Sequence, residues 1–122
     1  MDYTYYLLPL ISLLKLTKEN NVLKINNKEV SRLNVFGIVE RINDNEGYKS
    51  LVVNDGTGEI YVYFQNNLEL KAGDAVEILG ELVYDENPII HARIIKKIDL
   101  IQFMYNSIKS LFYYNKYWNN KK

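Results

Sequence analysis

The chain has 122 residues, 48% apolar and 25% charged, the composition of one globular domain with a core of its own. It contains no cysteine and a single histidine, which excludes disulfides and thiolate metal sites and makes a reducing compartment the natural setting. Formal net charge is zero, yet every acidic residue lies at or before Asp99 while Lys109, Lys116, Lys121 and Lys122 follow it. An acidic body thus leads into a basic tail, which is either a solvated end or a contact for phosphate or an acidic partner.

The longest apolar stretch, "YYLLPLISLL", spans 10 residues and carries Pro9. A membrane span needs about 20. Asp2 precedes it where a secretory signal would be basic, so a soluble, intracellular domain is expected. A short helix or turn is predicted over Leu7 to Leu16, started near Pro9, and a small extended piece over Val22 to Ile25. "VSRLNVFGIVERI" reads as a long strand with Leu33, Val35, Gly37 and Val39 on one side. Gly37 in its interior predicts a sharp bend or a bulge. After the turn-rich "NDNEG", Tyr48 to Asn54 and Glu59 to Gln65 form a hairpin across Asp55-Gly56-Thr57-Gly58. Alternation there turns Leu51, Val53, Ile60, Val62 and Phe64 inward, and Tyr48, Ser50, Val52, Tyr61 and Tyr63 outward. Lys71 to Asp74 is a tight turn ahead of a second hairpin, Ala75 to Tyr84 and Ile89 to Lys97, joined across "DENP". His91 falls opposite a face of Ile90, Ala92 and Ile94. From Leu100 to about Trp118 the spacing of Ile101, Met104, Ile108, Leu111, Asn115 and Trp118 is helical.

A long first strand kinked at glycine and serving two sheets, then two hairpins, predicts a mainly β fold. The architecture expected is a five-stranded Greek-key barrel, the OB-fold, with a short N-terminal helix or turn and a C-terminal α-helix. An SH3-like barrel is the competing architecture. The chain divides into an N-terminal extension packing on the barrel (1–29), the barrel (30–98), and an oligomerisation helix with its basic tail (99–122).

"VFGIVERI", "YKSLVVNDGTGEIYVYF" and "KAGDAVEILGEL" resemble the OB-folds of single-stranded DNA-binding proteins of the replication protein A group. "LLPLISLLKL" and "NNVLKINNKEVSRLNVFGIV" are similar to the segment leading into the barrel of that complex's middle subunit. The resemblance runs from about Leu7 to Tyr114, and the telomere-capping Stn1 proteins share the arrangement. It implies a non-catalytic subunit of a replication protein A-like heterotrimer, acting with DNA in replication, repair and recombination. The compartment would be the nucleus of a eukaryote, or the nucleoid and cytoplasm of an archaeon. The family's phosphorylatable N-terminal tail and winged-helix domain find no match in these residues, which fits an archaeal form. The resemblance further implies that the aromatic at Tyr84 stacks on a base, and that Tyr63 substitutes for a second aromatic whose place falls near Gln65 and Asn66. It implies too that the last helix joins one helix from each of two other OB-fold subunits.

An OB-fold binds single strands by laying bases on aromatic rings, each stack contributing about 1–3 kcal/mol. Tyr61, Tyr63, Tyr84 and Tyr48 are the candidate rings. Arg41, Lys49, Lys71 and Arg93 are the candidate phosphate partners, Arg41 and Lys49 flanking the first loop. Asp44, Glu46, Asp85 and Glu86 in the loops oppose a phosphate chain. Affinity alone is therefore expected to lie roughly between millimolar and micromolar, as suits a subunit that adds contacts to a stronger partner. The same tyrosines also fit plain cross-strand stabilisation or a protein contact. Ile101, Met104, Ile108, Leu111 and Phe112 form the candidate subunit interface, widened by Leu100, Phe103 and Tyr105; the other reading is a cap folded onto its own barrel. No nucleophile stands near His91 in sequence, no Gly-rich phosphate loop is present, and neither an enzyme nor a cofactor is expected. A protein adaptor, its acidic loops facing a basic partner, is the alternative function.

Overall fold

A computed structural model describes residues 5–14, 23–25, 28–45, 48–65 and 68–118. In chain order they form β1 (Tyr6–Leu7), the single turn α1 (Ile11–Leu14), β2 (Leu23–Ile25), β3 (Lys28–Val30), β4 (Arg32–Asn45) and β5 (Tyr48–Asn54). There follow β6 (Glu59–Phe64), β7 (Ala75–Asp85), β8 (Asn87–Ile98) and α2 (Leu100–Tyr113), which runs into a π-helical turn over Tyr114–Trp118. β4 to β8 close in the order β4–β5–β6–β8–β7 and back to β4, with β6–β8 parallel and the other pairs antiparallel. This is a closed five-stranded OB-fold barrel with a small helix before it and a longer one behind.

β4 makes the closure. Its first half, Arg32 to Ile38, pairs with β7, and its second half, Ile38 to Asn45, pairs with β5. Gly37 sits at the change of partner, where a Cβ would come within 3.1 Å of the Val53 Cβ. Just beyond, the Lys71–Asp74 turn takes over the ladder: the Val39 N–H donates to the Asp74 carbonyl and the Gly73 N–H to the Val39 carbonyl, each at 2.8 Å. Gly73 holds φ +97°, a conformation that glycine adopts without steric penalty.

Two β-bulges reset the alternation. Glu40 is the extra residue between the Val39–Val53 and Arg41–Val52 pairs, and Arg93 that between Ala92–Gly80 and Ile94–Leu79. The second corrects the sequence reading of β8. Ile94, expected on the inner face, is 51% exposed, and Ile95 enters the core in its place at 7%.

The core is otherwise the period-two set: Leu33, Val35 and Val39; Leu51 and Val53; Ile60, Val62 and Phe64; Val76, Ile78 and Ile90. Leu8, Leu10 and Leu13 join the same cluster from the N-terminal segment. The helix expected over Leu7 to Leu16 is shorter within the described residues, because Leu7 pairs with Asn34 as part of β1 and helix starts only at Ile11. The Asp55 turn holds that segment. Asp55 Oδ1 accepts from the Thr57 N–H (2.8 Å), the Thr57 hydroxyl (2.6 Å) and the Gly58 N–H (3.2 Å). Its Oδ2 accepts from the Leu10 N–H at 2.8 Å, and Thr57 Oγ1 from the Ile11 N–H at 3.1 Å. One carboxylate thus shapes its own turn and satisfies a donor at the start of α1, the task of an N-cap done from a distant loop. Val30 belongs to β3, paired with β2 as a separate hairpin, rather than to the long strand.

α2 starts in a capping box: Asp99 Oδ1 accepts from the Gln102 N–H at 2.8 Å, and Gln102 Oε1 from the Asp99 N–H at 3.3 Å. It lies against β4 and β7. Phe103, Ser107, Ser110 and Tyr114, spaced four, three and four apart, are the covered side, with Ser110 and Tyr114 buried. The apolar stripe points away from the barrel, with Ile101 79%, Ile108 67%, Phe112 57% and Met104 54% exposed.

Candidate nucleic-acid interface

Strand register lines up two rows of outward side chains across the barrel wall. The first runs Arg41, Val52, Tyr61, Ile89, Val83 on β4, β5, β6, β8 and β7. The second runs Asn43, Ser50, Tyr63, His91, Glu81 and closes on Arg32 of β4. Tyr61 and Tyr63 therefore stand two residues apart on one face, about 7 Å along β6. Tyr61 lies in an apolar row ended by exposed Arg41, and is itself 46% exposed. Tyr63 lies in a polar row, its ring centroid 5.8 Å from that of His91 and tilted by 55°.

Ser50 and Val52, expected to be exposed, are buried at 6% and 2%. Both are small and sit directly beside Tyr63 and Tyr61, so the larger rings shield them from water even on the outer face.

Beyond Tyr63 the wall dips into a groove of about 510 Å³, lined by Tyr63, Phe64, Gln65, Glu81, His91, Ala92 and Arg93. Arg93 is the bulge residue, and its Nε and Nη2 both donate to Glu81 Oε1, at 3.3 and 3.0 Å. The sequence reading missed His91 and Glu81 as neighbours of Tyr63. The parallel β6–β8 pairing that brings them together joins segments distant in sequence, and only the spatial strand order reveals it.

The other candidates are placed differently. Lys49 pairs with Phe64 and shares the alternation of inward Leu51 and Val53, so it stands half-buried at the barrel mouth and not on the tyrosine face. Tyr84 pairs with Pro88 and shares the alternation of Leu82, away from outward Glu81 and Val83. The expected "DENP" loop is a tight hairpin end, with only Glu86, at φ 64°, between β7 and β8. Val83, 39% exposed, takes the outward position beside Ile89 that sequence reasoning had not singled out. Lys71 is exposed in the turn next to Val39. Tyr48 opens β5, but its side chain, with those of Asp44 and Asp85 and all of Glu46, lies outside the described residues.

Carboxylates temper this face. Glu40, the bulge residue of β4, accepts from Asn54 Nδ2 at 3.2 Å. A hydrogen bond from Glu59 to Glu40, and the like charge between them, push the Glu59 carboxyl above the usual range, while Arg41 pulls it down. Among the described residues no cluster of three or more His, Asp or Glu side chains is placed to hold a metal ion, and no helix is long and apolar enough to cross a membrane.

No protein-family profile matches the sequence, and no curated protein matches it. Solved structures do. A chain in a structure of a replication protein A heterotrimer bound to single-stranded DNA aligns with a TM-score of 0.78 at 19% identity, covering 93% of this chain and 97% of that one. The S. pombe Stn1–Ten1 complex gives 0.78 at 14%, covering 93% of each chain. Yeast Stn1 and Ten1 give 0.76 at 14%, covering 93% of this chain and 74% of the other. At these identities the likeness is one of fold, and in fold the chain resembles the middle subunit of replication protein A and the Stn1 proteins.

Proposed function

We propose that the chain is a non-catalytic, single-stranded DNA-binding subunit of a replication protein A-like complex, acting with DNA in replication, repair and recombination. The observation that carries this reading is the pair of outward tyrosines on β6, Tyr61 in the row that begins at Arg41 and Tyr63 in the row that ends at the Arg93 groove. A nucleic-acid strand running along β6 meets both rings in succession, with Val52 and Ile89 as apolar neighbours on either side of the first. Two stacks at about 1–3 kcal/mol each, less the cost of ordering a flexible strand, leave roughly millimolar to micromolar affinity. Assembly raises the effective concentration and supplies the rest. The outward stripe of α2 is the surface for other OB-fold subunits: an apolar face of this width, left bare by its own barrel, is stabilised by burial against another chain.

Fluorescence anisotropy with labelled oligo-thymidine at low salt tests the binding. Weak binding, reduced about tenfold or more by Tyr61→Ala or Tyr63→Ala and less by Tyr84→Ala, is expected. A flat titration with the folded chain sinks it. It would leave the second reading, a protein adaptor, which the carboxylates beside both arginines favour. Co-purification with neighbouring OB-fold subunits tests assembly, and a strict monomer in their presence would count against it.

A further inference from the structure

Stacking on Tyr61 and Tyr63 leaves the groove at the β8–β7 end of the second row unused. Its volume, about 510 Å³, falls in the range of small-ligand pockets, roughly 300–1,000 Å³. A phosphate is a poor occupant, because Glu81 offsets the attraction of Arg93. What the groove offers instead is a ring wall, Tyr63, and directional polar groups held in fixed relation. Both Arg93 bonds end on Glu81 Oε1, which sets the plane of the guanidinium. Glu81 Oε2 has no hydrogen-bond partner among the described residues, and its lone pairs accept two donors. Arg93 Nη1 likewise donates to nothing described. The side chains are 37% and 64% exposed, so a ligand reaches both without a rearrangement of the wall.

We propose that this groove reads one guanine base of the bound strand. The base lies against Tyr63, donates from N1–H and N2–H to Glu81 Oε2, and accepts at O6 from Arg93 Nη1. Guanine alone among the four bases presents two adjacent donors beside a carbonyl on one edge. Adenine and cytosine bring a bare ring nitrogen to the carboxylate, and thymine brings a second carbonyl; each meets Glu81 lone pair to lone pair. His91 and Gln65 complete the wall, where they contact the sugar or the far edge of the ring. The assignment rests on the single-strand reading above but goes beyond stacking, which is indifferent to sequence.

The test uses the full chain and labelled oligo-thymidine, alongside a series in which one dG replaces dT at successive positions. One register of dG should bind about tenfold tighter, the discrimination of a good bidentate base contact. Glu81→Gln should erase that preference while tightening oligo-thymidine itself, since a negative charge leaves the path and Arg93 is released to phosphate. Equal affinity for every dG position, or a preference that survives Glu81→Gln, with oligo-thymidine still bound, overturns the guanine site and leaves the stacking face standing. Failure to bind any oligonucleotide overturns both.

Discussion

Asp55 and the Glu40–Glu59 pair show how much a single carboxylate does here. Asp55 accepts four of the hydrogen bonds that tie the β5–β6 turn together and hold the segment carrying Leu8, Leu10 and Leu13. Asp55→Ala is expected to destabilise the fold by about 2–3 kcal/mol, because bonds to a charged acceptor are lost and part-buried N–H groups are orphaned. Urea denaturation measures this, and a loss of only a few tenths would mean that water replaces the carboxylate. At Glu59 the proton is held more tightly in the folded chain than in the unfolded one. As pH rises from the ordinary carboxylate value through the raised one, the unfolded chain has already released a proton that the folded chain keeps, so stability falls through that window. Glu40→Gln removes the repulsion. Its melting temperature should exceed that of the parent at neutral pH and converge with it on the acid side of the window. Identical curves at both ends would remove Glu40 as the cause. The Asp55 turn was legible as a turn from its residues, whereas its second role was not, because the partners are backbone N–H groups 45 and 46 residues away.

At the scale of elements, the strands and the helix stripe were readable because apolar residues repeat at two and at three-to-four. That count fails where a bulge adds a residue. Glu40 turns Arg41 outward rather than into the core, and Arg93 swaps Ile94 for Ile95; neither shift leaves a mark in the composition of its strand. Hairpin tips defeat the count too, since Tyr84 and Val83 exchange the faces expected from a loop once the ladder runs on to Asp85. Gly80 supports the second bulge: a Cβ there would meet the His91 carbonyl oxygen at 2.5 Å and the Ala92 Cα at 2.9 Å. Gly80→Ala should cost about 1–3 kcal/mol by overpacking against backbone, read as a shift of the denaturant midpoint at unchanged slope. A neutral substitution would show that the bulge relaxes freely. For α2, Ile101→Glu with Ile108→Glu alters only side chains that the barrel leaves bare. The double variant should keep the parent's melting temperature and lose association with partner subunits in sedimentation. Loss of both together would return the stripe to its own barrel.

For the molecule as a whole, few cations serve the face that carries the tyrosines. Arg41 lies on it, Arg32 and Arg93 stand beside Glu81 at its edge, Lys49 does not, and Lys96 and Lys97 are engaged with Glu77 and Asp74 at 3.5 and 3.7 Å. With Arg93 held by Glu81, counterion release from one phosphate contact at Arg41 predicts a salt dependence of log K of about −0.7, against steep slopes for proteins that bind by charge. A slope beyond about −3 would mean that the basic tail, and not the barrel wall, dominates binding. The net charge of zero in the sequence already pointed to such weak electrostatics. The face itself was only half visible there, since Tyr61 and Tyr63 follow from alternation but their neighbours follow from barrel closure.

That β4 lends one half of its length to β7 and the other to β5 has a consequence for how the domain comes apart. Neither half can peel off without uncovering a raw strand edge on its former neighbour, and such edges recruit other chains. The barrel is therefore built to open in a single cooperative event. Native-state hydrogen exchange should report the same opening free energy at Phe36 and Ile42, amides on opposite sides of the seam.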